Sequence, residues 1–203
     1  MDNFQKKNLV KLNINNSLWD HFFTVAPLIV VGSKEGYRYD LAPKHMASPI
    51  GQSDFFGFVC TPKHSTYQNI KKNMEFSVSF PVPDQIVMAS LSASPRCEDN
   101  ERTKLIVDAL STFKCNSIDA LLLKDAYLFF ECELYKIIDG FNDYSIITGR
   151  IIDAFVNKDY LKVTDKDIQD QINERPLLAY IANGRFAKIK KTYKFPFPKG
   201  FKK

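Results

Sequence analysis

The stretch DLAPKHMASPIGQSDFFGFVCTPKHSTYQNIKKNMEFSVSF, from Asp40 to Phe80, is the most informative part of the chain. It begins as a loop of small and polar residues and continues into FFGFVC (residues 55–60), an apolar run that predicts a strand. A turn follows, then a short helix that we expect Ser65 and Thr66 to open. EFSVSF (residues 75–80) then alternates as a half-buried strand does. A polar loop that faces a helix start suits a bound phosphate and a flat ring better than it suits side-chain catalysis.

Two further pairs of segments predict antiparallel hairpins. PLIVVGS (27–33) is separated from YRYDLA (37–42) by a Lys-Glu-Gly turn, and AYLFFECELYKIID (126–139) is separated from YSIITGRIIDAFV (144–156) by Gly, Asn and Asp. In the first segment of the second pair, alternation places Glu131 on the outer face, where we expect solvent to surround its charge. The fold class predicted is therefore mainly β.

Residues from about 84 to 125 differ in character from the strands on either side. In ERTKLIVDALSTF (101–113), four apolar side chains recur at helical spacing and predict a core-facing stripe; they are Ile106, Ala109, Leu110 and Phe113. We interpret this stretch as a helical excursion between strands.

Length and composition set simple limits. A chain of 203 residues can bury a sizeable core, and we expect a single domain over residues 1–203. No apolar run approaches the roughly 20 residues that cross a bilayer, and the first residues lack the apolar middle of a signal peptide, so we expect a cytoplasmic location. The four cysteines form no C-x-x-C pair and the three histidines are scattered, so no metal site is predicted. Cys60 and Cys132 are expected to be buried free thiols.

The formal net charge is +5, and seven lysines fall within residues 188–203. A basic end can bind nucleic acid or another anion, and it can equally be a solvated tail. The aromatic residues of FPFPKGF (195–201) favour a third interpretation, an arm that docks on protein. We treat residues from about 184 to 203 as this C-terminal arm.

Several common catalytic patterns are absent from the sequence. The eight glycines form neither G-x-G-x-x-G nor G-x-x-x-x-G-K-[ST], which argues against Rossmann and P-loop sites. There is no G-x-S-x-G motif, and no pair of carboxylates stands out as an acid and base. If the chain is an enzyme, its chemistry is expected to belong to a cofactor, and no catalytic side chain is predicted.

Taken together, DLAP (40–43), the loop through Ser48, FFGFVC, TPKHSTYQNI (61–70) and EFSVSF resemble the flavin reductase-like family of the FMN-binding split barrel. That family usually shows an N-L-A-P-like start, a loop of small and polar residues, and K-x-T-x-x-N-I before E-F-x-V. The resemblance extends over roughly residues 20 to 200. It implies a split β-barrel with a helical excursion and short peripheral helices.

The resemblance also implies a cofactor site. Its residues would be Lys44, His45, Met46, Ala47, Ser48, Lys63, Ser65, Thr66, Arg185 and Phe186. Free N–H groups at the helix start attract a phosphate, the Thr66 hydroxyl can donate to it, and the basic residues of the set add charge. Met46 to Ser48 would lie along the isoalloxazine edge. Other interpretations remain open: Ser65 and Thr66 could merely cap the helix, with Ser65 and Gln68 at capping-box spacing. His45 could be a surface residue, and Met46 to Ser48 an ordinary tight loop.

The chain departs from the family pattern at three places. Asp40 replaces the usual Asn, and because a carboxylate repels phosphate we expect Asp40 to point away or to serve only the turn. An extra residue separates Lys63 from Thr66, which makes the role of Lys63 less defined. Asp54 and Phe55 stand where many members have two prolines.

By this resemblance the chain would bind FMN non-covalently, FMN rather than FAD because the family's site ends at one phosphate. It would act as a homodimer, each site being completed by the partner chain. NADH or NADPH would pass a hydride to the flavin, which would reduce free flavin or another acceptor.

The alternative is an FMN electron carrier resembling flavoredoxin, without its own nicotinamide site. A non-catalytic module that uses the basic arm on nucleic acid is a third, less favoured interpretation, and no membrane partner is expected. The arm from Gly184 onward is expected to contribute to the dimer contact and to help cover the flavin.

Overall fold

The computed structural model describes residues 8–15, 17–98, 103–162 and 166–201. The strands are β1 Val25–Pro27, β2 Ile29–Glu35, β3 Arg38–Lys44, β4 Ala47–Pro49, β5 Phe55–Cys60, β6 Glu75–Phe80, β7 Thr112–Lys114, β8 Leu121–Leu123, β9 Leu128–Phe141, β10 Tyr144–Val156, β11 Leu177–Ile181 and β12 Arg185–Ile189. The α-helices are α1 Ser65–Asn73, α2 Ile86–Leu91, α3 Ile106–Ala109 and α4 Ile168–Glu174. Short 3-10 turns occupy Leu18–Asp20, Pro83–Gln85 and Lys158–Tyr160.

The main sheet has seven antiparallel strands in the order β3-β2-β6-β9-β10-β5-β4. Its two edge strands, β3 and β4, are joined by only His45 and Met46. If the sheet were flat, its edges would lie about 29 Å apart, whereas two connecting residues span at most about 11 Å. The sheet therefore curls until its edges meet at this connection. The predicted mainly β split barrel is confirmed, and so are both predicted hairpins, β2 with β3 and β9 with β10.

The interior of the curled sheet is filled by aromatic and branched side chains. Phe56, Phe58 and Phe76 are fully buried there, and the rings of Phe58 and Phe76 meet edge to face with centroids 5.5 Å apart. Gly149 lies opposite this pair, and a Cβ at Gly149 would sit 2.5 Å from Cζ of Phe76. Only glycine leaves room for the Phe76 ring. As predicted, Cys60 and Cys132 are buried and free, and burial raises the pKa of each thiol.

The excursion is less helical than the sequence suggested. It contains α2 and the four-residue α3, and it ends in a separate two-stranded hairpin, β7 with β8. Leu110 is already extended, with ψ of 139°, so the helix ends there. The predicted stripe is therefore wrong for Phe113, which lies in β7 and is 43% exposed, and for Ala109, which is exposed at the end of α3. Val107 and Leu110 pack with Leu41 and Leu123 in a second core on the outer side of the sheet.

Glu131 contradicts the expectation of a solvated charge. It is fully buried, and its two carboxylate oxygens accept hydrogen bonds from the N–H groups of Asn116 and Ser117 at 2.9 and 2.7 Å. The alternation along β9 is as predicted, and the neighbouring Glu133 is exposed. The excursion folds over the outer face of the sheet at Glu131 and buries it. The spacing of residues within a strand does not show whether another segment covers that face.

The C-terminal arm begins inside a second sheet. Strand β12 completes a three-stranded sheet in the order β1-β11-β12, and Gln169 of α4 then holds Thr192 through a 2.6 Å hydrogen bond from the Thr192 N–H. Beyond that point, the exposed rings of Phe195, Phe197 and Phe201 contact one another. No helix in the described parts of the chain is long and apolar enough to cross a membrane.

Candidate functional site

A cavity of about 310 Å³ lies where the end of β3, the start of α1 and residues 92–96 of the excursion meet. Four of the residues predicted to bind the cofactor line it: Lys44, Lys63, Ser65 and Thr66. Its other charged or titratable lining residues are Asp40, His64, Arg96 and Lys104. We refer to this cavity as the anion pocket, because four cationic side chains and one carboxylate line it.

The start of α1 leaves hydrogen-bond donors open toward the anion pocket. The residue preceding the helix is His64, so the prediction that Ser65 and Gln68 form a capping box is wrong. His64 supplies only its backbone oxygen, which accepts from the N–H groups of Tyr67 and Gln68, and the Gln68 amide donates to the oxygen of Pro62 at 2.7 Å. Among the hydrogen bonds of the described residues, none uses the N–H of Ser65 or Thr66. Such free N–H groups at a helix start are suited to an anion.

The position of Asp40 contradicts a second expectation from the sequence. It lies on β3 with only 2% of its surface exposed, and it lines the anion pocket rather than pointing away or serving a turn. Its carboxylate accepts a hydrogen bond from Thr66 Oγ1 at 3.2 Å. The same carboxylate pairs with Lys104 Nζ at 3.1 Å and Arg96 Nη2 at 3.2 Å. A buried carboxylate is tolerated here because the excursion brings two cations to it.

The charges around the pocket divide into a balanced group and an open group. Arg96 also pairs with Glu35, at 2.8 Å, so two carboxylates balance Arg96 and Lys104. Among the residues that the structure describes, the carboxylate partner of Lys63 is Asp143, at 3.2 Å and with both side chains largely in solvent, which is a weak interaction. Lys44 has no carboxylate partner among the described ion pairs. Lys44 and Lys63 therefore carry the charge that remains available to a ligand.

The charge of Lys44 affects both neighbouring histidines. Burial is the larger cause that lowers the pKa of His45 and of His64, and the positive charge of Lys44 lowers each pKa further. Both imidazoles are therefore neutral at pH 7, where they can donate or accept hydrogen bonds but add no positive charge. This leaves the two lysines as the electrostatic attraction for an anion.

The other four residues of the predicted loop lie in the connection between β3 and β4, which is His45 and Met46, and at the start of β4, which is Ala47 and Ser48. His45 is half-buried and stacks on Tyr180, with ring centroids 4.5 Å apart. Met46 is exposed, and its backbone oxygen accepts from the N–H of Val59 at 2.9 Å. Ala47 packs against the barrel core, and exposed Ser48 donates its hydroxyl to the oxygen of Pro49. None of these four predicted residues lines the anion pocket or the second cavity described next.

A second cavity, of about 280 Å³, adjoins the anion pocket. It shares Pro43 and Ala93 with that pocket and is lined by the predicted residues Arg185 and Phe186. Tyr180 also lines it, so the ring on which His45 stacks forms part of its wall. The remaining lining residues are mostly apolar: Leu28, Ile86, Ala89, Ser90 and Gly184. We refer to it as the ring cavity, because its apolar and aromatic walls suit a flat ring.

The excursion contributes a wall of the anion pocket that was not predicted from the sequence. Residues 92–96 and Lys104 line the anion pocket, although the excursion was interpreted only as a source of core residues. One signal was available in the sequence. A buried Asp40 would require cationic partners, and Arg96 and Lys104 are cationic residues of the excursion, whose position relative to the strands the sequence does not determine. Which cations approach Asp40 depends on tertiary packing.

Comparison with known proteins agrees with the fold. Residues 23–189 match the family model described as a flavin reductase like domain, whereas no curated protein matches the chain. Flavoredoxin from Methanosarcina acetivorans is 18% identical, with a TM-score of 0.72 over 95% of this chain and 97% of that one. An FMN-binding protein from Thermus thermophilus is also 18% identical, with a TM-score of 0.73 over 92% and 98%. The NADH:FAD oxidoreductase of Streptomyces globisporus is 16% identical, with a TM-score of 0.64 over 82% and 87%. At these identities the likeness establishes the fold, and the family model, which covers most of the sequence, establishes that the chain belongs to the flavin reductase-like family.

Proposed function

We propose that the chain binds FMN non-covalently, with the phosphate in the anion pocket and the ring system directed toward the ring cavity. The observation that carries this proposal is the junction of the two cavities at Pro43 and Ala93. One cavity is basic and presents free N–H groups, and the other is apolar and aromatic. A ligand with a phosphate at one end and a flat ring at the other matches this pair.

The charges support a single phosphate. A phosphate monoester carries about −1.5 to −2 at pH 7, given its second pKa near 6. Lys44 and Lys63, with the partial positive charge at the start of α1, are sufficient to compensate that charge. The pyrophosphate diester of FAD carries a similar total charge, so the choice of FMN over FAD rests on the resemblance, in which the family's site ends at one phosphate. Because a Streptomyces globisporus neighbour is by its printed name an NADH:FAD oxidoreductase, recovery of FAD is a distinct outcome of the test.

The proposed activity is that of an NAD(P)H-dependent flavin oxidoreductase. A flavin held by these residues would supply the redox chemistry, which is hydride acceptance from NADH or NADPH and electron transfer to free flavin or another acceptor. The protein itself binds and orients the flavin. The N–H groups of Ser65 and Thr66, together with the two open lysines, hold the phosphate. Tyr180 and Phe186 form walls that exclude water from the ring. We assign no catalytic side chain. An FMN electron carrier resembling flavoredoxin is the second candidate, favoured by the neighbour of that name.

We further propose that the protein is a homodimer whose arm contributes to the contact. Phe195 is 70% exposed and Phe201 is 56% exposed in the isolated chain, and each contacts the neighbouring ring of Phe197. Burial of exposed aromatic rings drives association. A second copy would cover them and could complete the ring cavity beside Arg185.

The absorbance spectrum of the purified protein tests the cofactor directly. We expect a yellow protein, or one that becomes yellow with FMN, and chromatography of the denatured sample should yield FMN. Lys44→Met should weaken FMN binding about tenfold and leave riboflavin binding unchanged, because only FMN carries the phosphate. Lys72→Met is the matched control, since it removes the same charge from the last turn of α1. Failure to bind any flavin would overturn the proposal.

Anaerobic titration with NADH and with NADPH separates the two candidate activities. Rapid bleaching of the flavin by either nucleotide supports the oxidoreductase. A bound flavin that neither nucleotide bleaches, but that a chemical reductant does, supports the electron carrier.

A further inference from the structure

The most unusual feature of the anion pocket is a carboxylate in its wall. Asp40 is buried, lines the cavity, and is the negatively charged member of a lining that otherwise carries four cations. A carboxylate beside a phosphate lowers the affinity for that phosphate. Its position therefore requires an explanation beyond the binding of one phosphate.

Asp40 holds together groups from three parts of the chain. It lies on β3, accepts a hydrogen bond from Thr66 of α1, and pairs with Arg96 and Lys104 of the excursion. Lys104 also donates to the backbone oxygen of Leu41 at 2.7 Å. The side chain of Lys104 is only 8% exposed, so its charge is compensated locally rather than by solvent.

We propose that Asp40 sets the anion selectivity of this pocket: together with Glu35 it neutralises Arg96 and Lys104, so that the pocket accepts one phosphate and discriminates against more highly charged anions. This inference rests on the proposed function, because it concerns the same pocket. With Asp40 in place, Lys44 and Lys63 are the open charges and match one phosphate. Without its charge, Glu35 still pairs with Arg96, but Lys104 loses its carboxylate and becomes available to a second phosphate group.

The direction of the expected effect distinguishes this role from a purely structural one. Asp40→Asn preserves the shape and an oxygen that can accept from Thr66, while removing one negative charge from the wall. Binding of pyrophosphate should strengthen about tenfold, the factor that corresponds to about 1.4 kcal/mol. Binding of inorganic phosphate should strengthen less, because it carries less charge, so the preference for pyrophosphate over phosphate rises. If Asp40 only held the cations in position, both anions would bind more weakly.

The test measures phosphate and pyrophosphate binding by isothermal titration calorimetry, with FMN, FAD and riboflavin titrated in parallel. Asp159→Asn is the control, because it removes the same charge from an exposed pair with Arg175, 2.7 Å away, outside both cavities. In Asp40→Asn we expect riboflavin binding to stay within about twofold of its original value. An unchanged pyrophosphate-to-phosphate ratio overturns the proposal.

A second variant keeps the test decisive if Asp40→Asn does not fold. Asp40→Asn combined with Lys104→Met removes one charge of each sign from the same pair and should return the anion preference to that of the original protein. A rise of the pyrophosphate preference in this double variant contradicts the proposal. The inorganic anions also separate the two claims: if no flavin binds but the anion preferences change as stated, the proposed function fails and the role of Asp40 stands.

Discussion

Replacement of Thr66 by alanine tests which group of this residue meets a phosphate. The Thr66 hydroxyl already donates to Asp40 at 3.2 Å in a buried position, so its proton is committed within the protein. The N–H of Thr66 is the group that remains open at the start of α1. Thr66→Ala removes the hydroxyl and keeps the N–H, and the structure therefore predicts a loss of stability with little loss of FMN affinity.

The size of the stability loss follows from three contributions. A buried hydrogen bond to a charged acceptor contributes about 1.5–3 kcal/mol. The lost methyl group contributes about 0.8 kcal/mol. Alanine is the better helix former by about 0.5 kcal/mol, which offsets part of the loss. The free energy of unfolding should therefore fall by about 2–3 kcal/mol.

Urea denaturation of the flavin-free protein measures the stability, and fluorescence titration with FMN measures the affinity. We expect the FMN affinity to change less than about threefold, which is below 1 kcal/mol. Thr66→Ser, which retains the hydroxyl, is the control and should recover most of the stability. An FMN affinity lowered tenfold or more, with unchanged riboflavin binding and unchanged stability, would refute this reasoning. The Thr66 hydroxyl would then be assigned to phosphate binding, as the sequence had suggested.

Three further changes test the fold and the arm. Glu131→Gln presents an amide donor to one of two backbone N–H groups, so the free energy of unfolding should fall by about 2–4 kcal/mol in urea, and an unchanged midpoint would show that the buried charge is dispensable. Gly149→Ala places a Cβ 2.5 Å from Phe76 Cζ and should cost about 1–3 kcal/mol in the same assay; a loss under 0.5 kcal/mol would mean that the ring moves aside freely. Deletion of residues 192–203 should loosen the dimer in size-exclusion chromatography, reduce flavin retention, or do both. A truncated protein that stays dimeric and yellow, yet loses salt-dependent binding to nucleic acid, would instead assign the arm to nucleic acid.

The elements that the sequence predicted well depend on local information. The hairpin of β2 and β3 follows from apolar runs on either side of a turn at Gly36, which has φ of +58°. The hairpin of β9 and β10 follows in the same way from alternation around a turn in which Asn142 has φ of +54°. Both conformations are ones that glycine and asparagine adopt readily. Lys44, Lys63 and the helix start of the anion pocket could also be predicted, because they belong to one continuous segment of the sequence.

The two errors about carboxylates share one physical cause. Asp40 was expected to avoid the phosphate site and Glu131 to be solvated, and both are buried against the excursion. The excursion gives Asp40 two cations and gives Glu131 two backbone N–H groups. Neither partner set lies near its carboxylate in sequence, so no spacing rule could reveal it.

This shared cause gives the excursion a definite role in the site. A buried carboxylate without partners is strongly unfavourable, so Asp40 can occupy the pocket wall only while Arg96 and Lys104 are present. The reverse also holds, because two buried cations without Asp40 would repel each other. The three residues should therefore be energetically coupled: the stability costs of Asp40→Asn and Lys104→Met should sum to more than the cost of the double variant. Additive costs would mean that solvent, rather than Asp40, compensates Lys104, and the charge balance of the anion pocket would then have to be assigned differently.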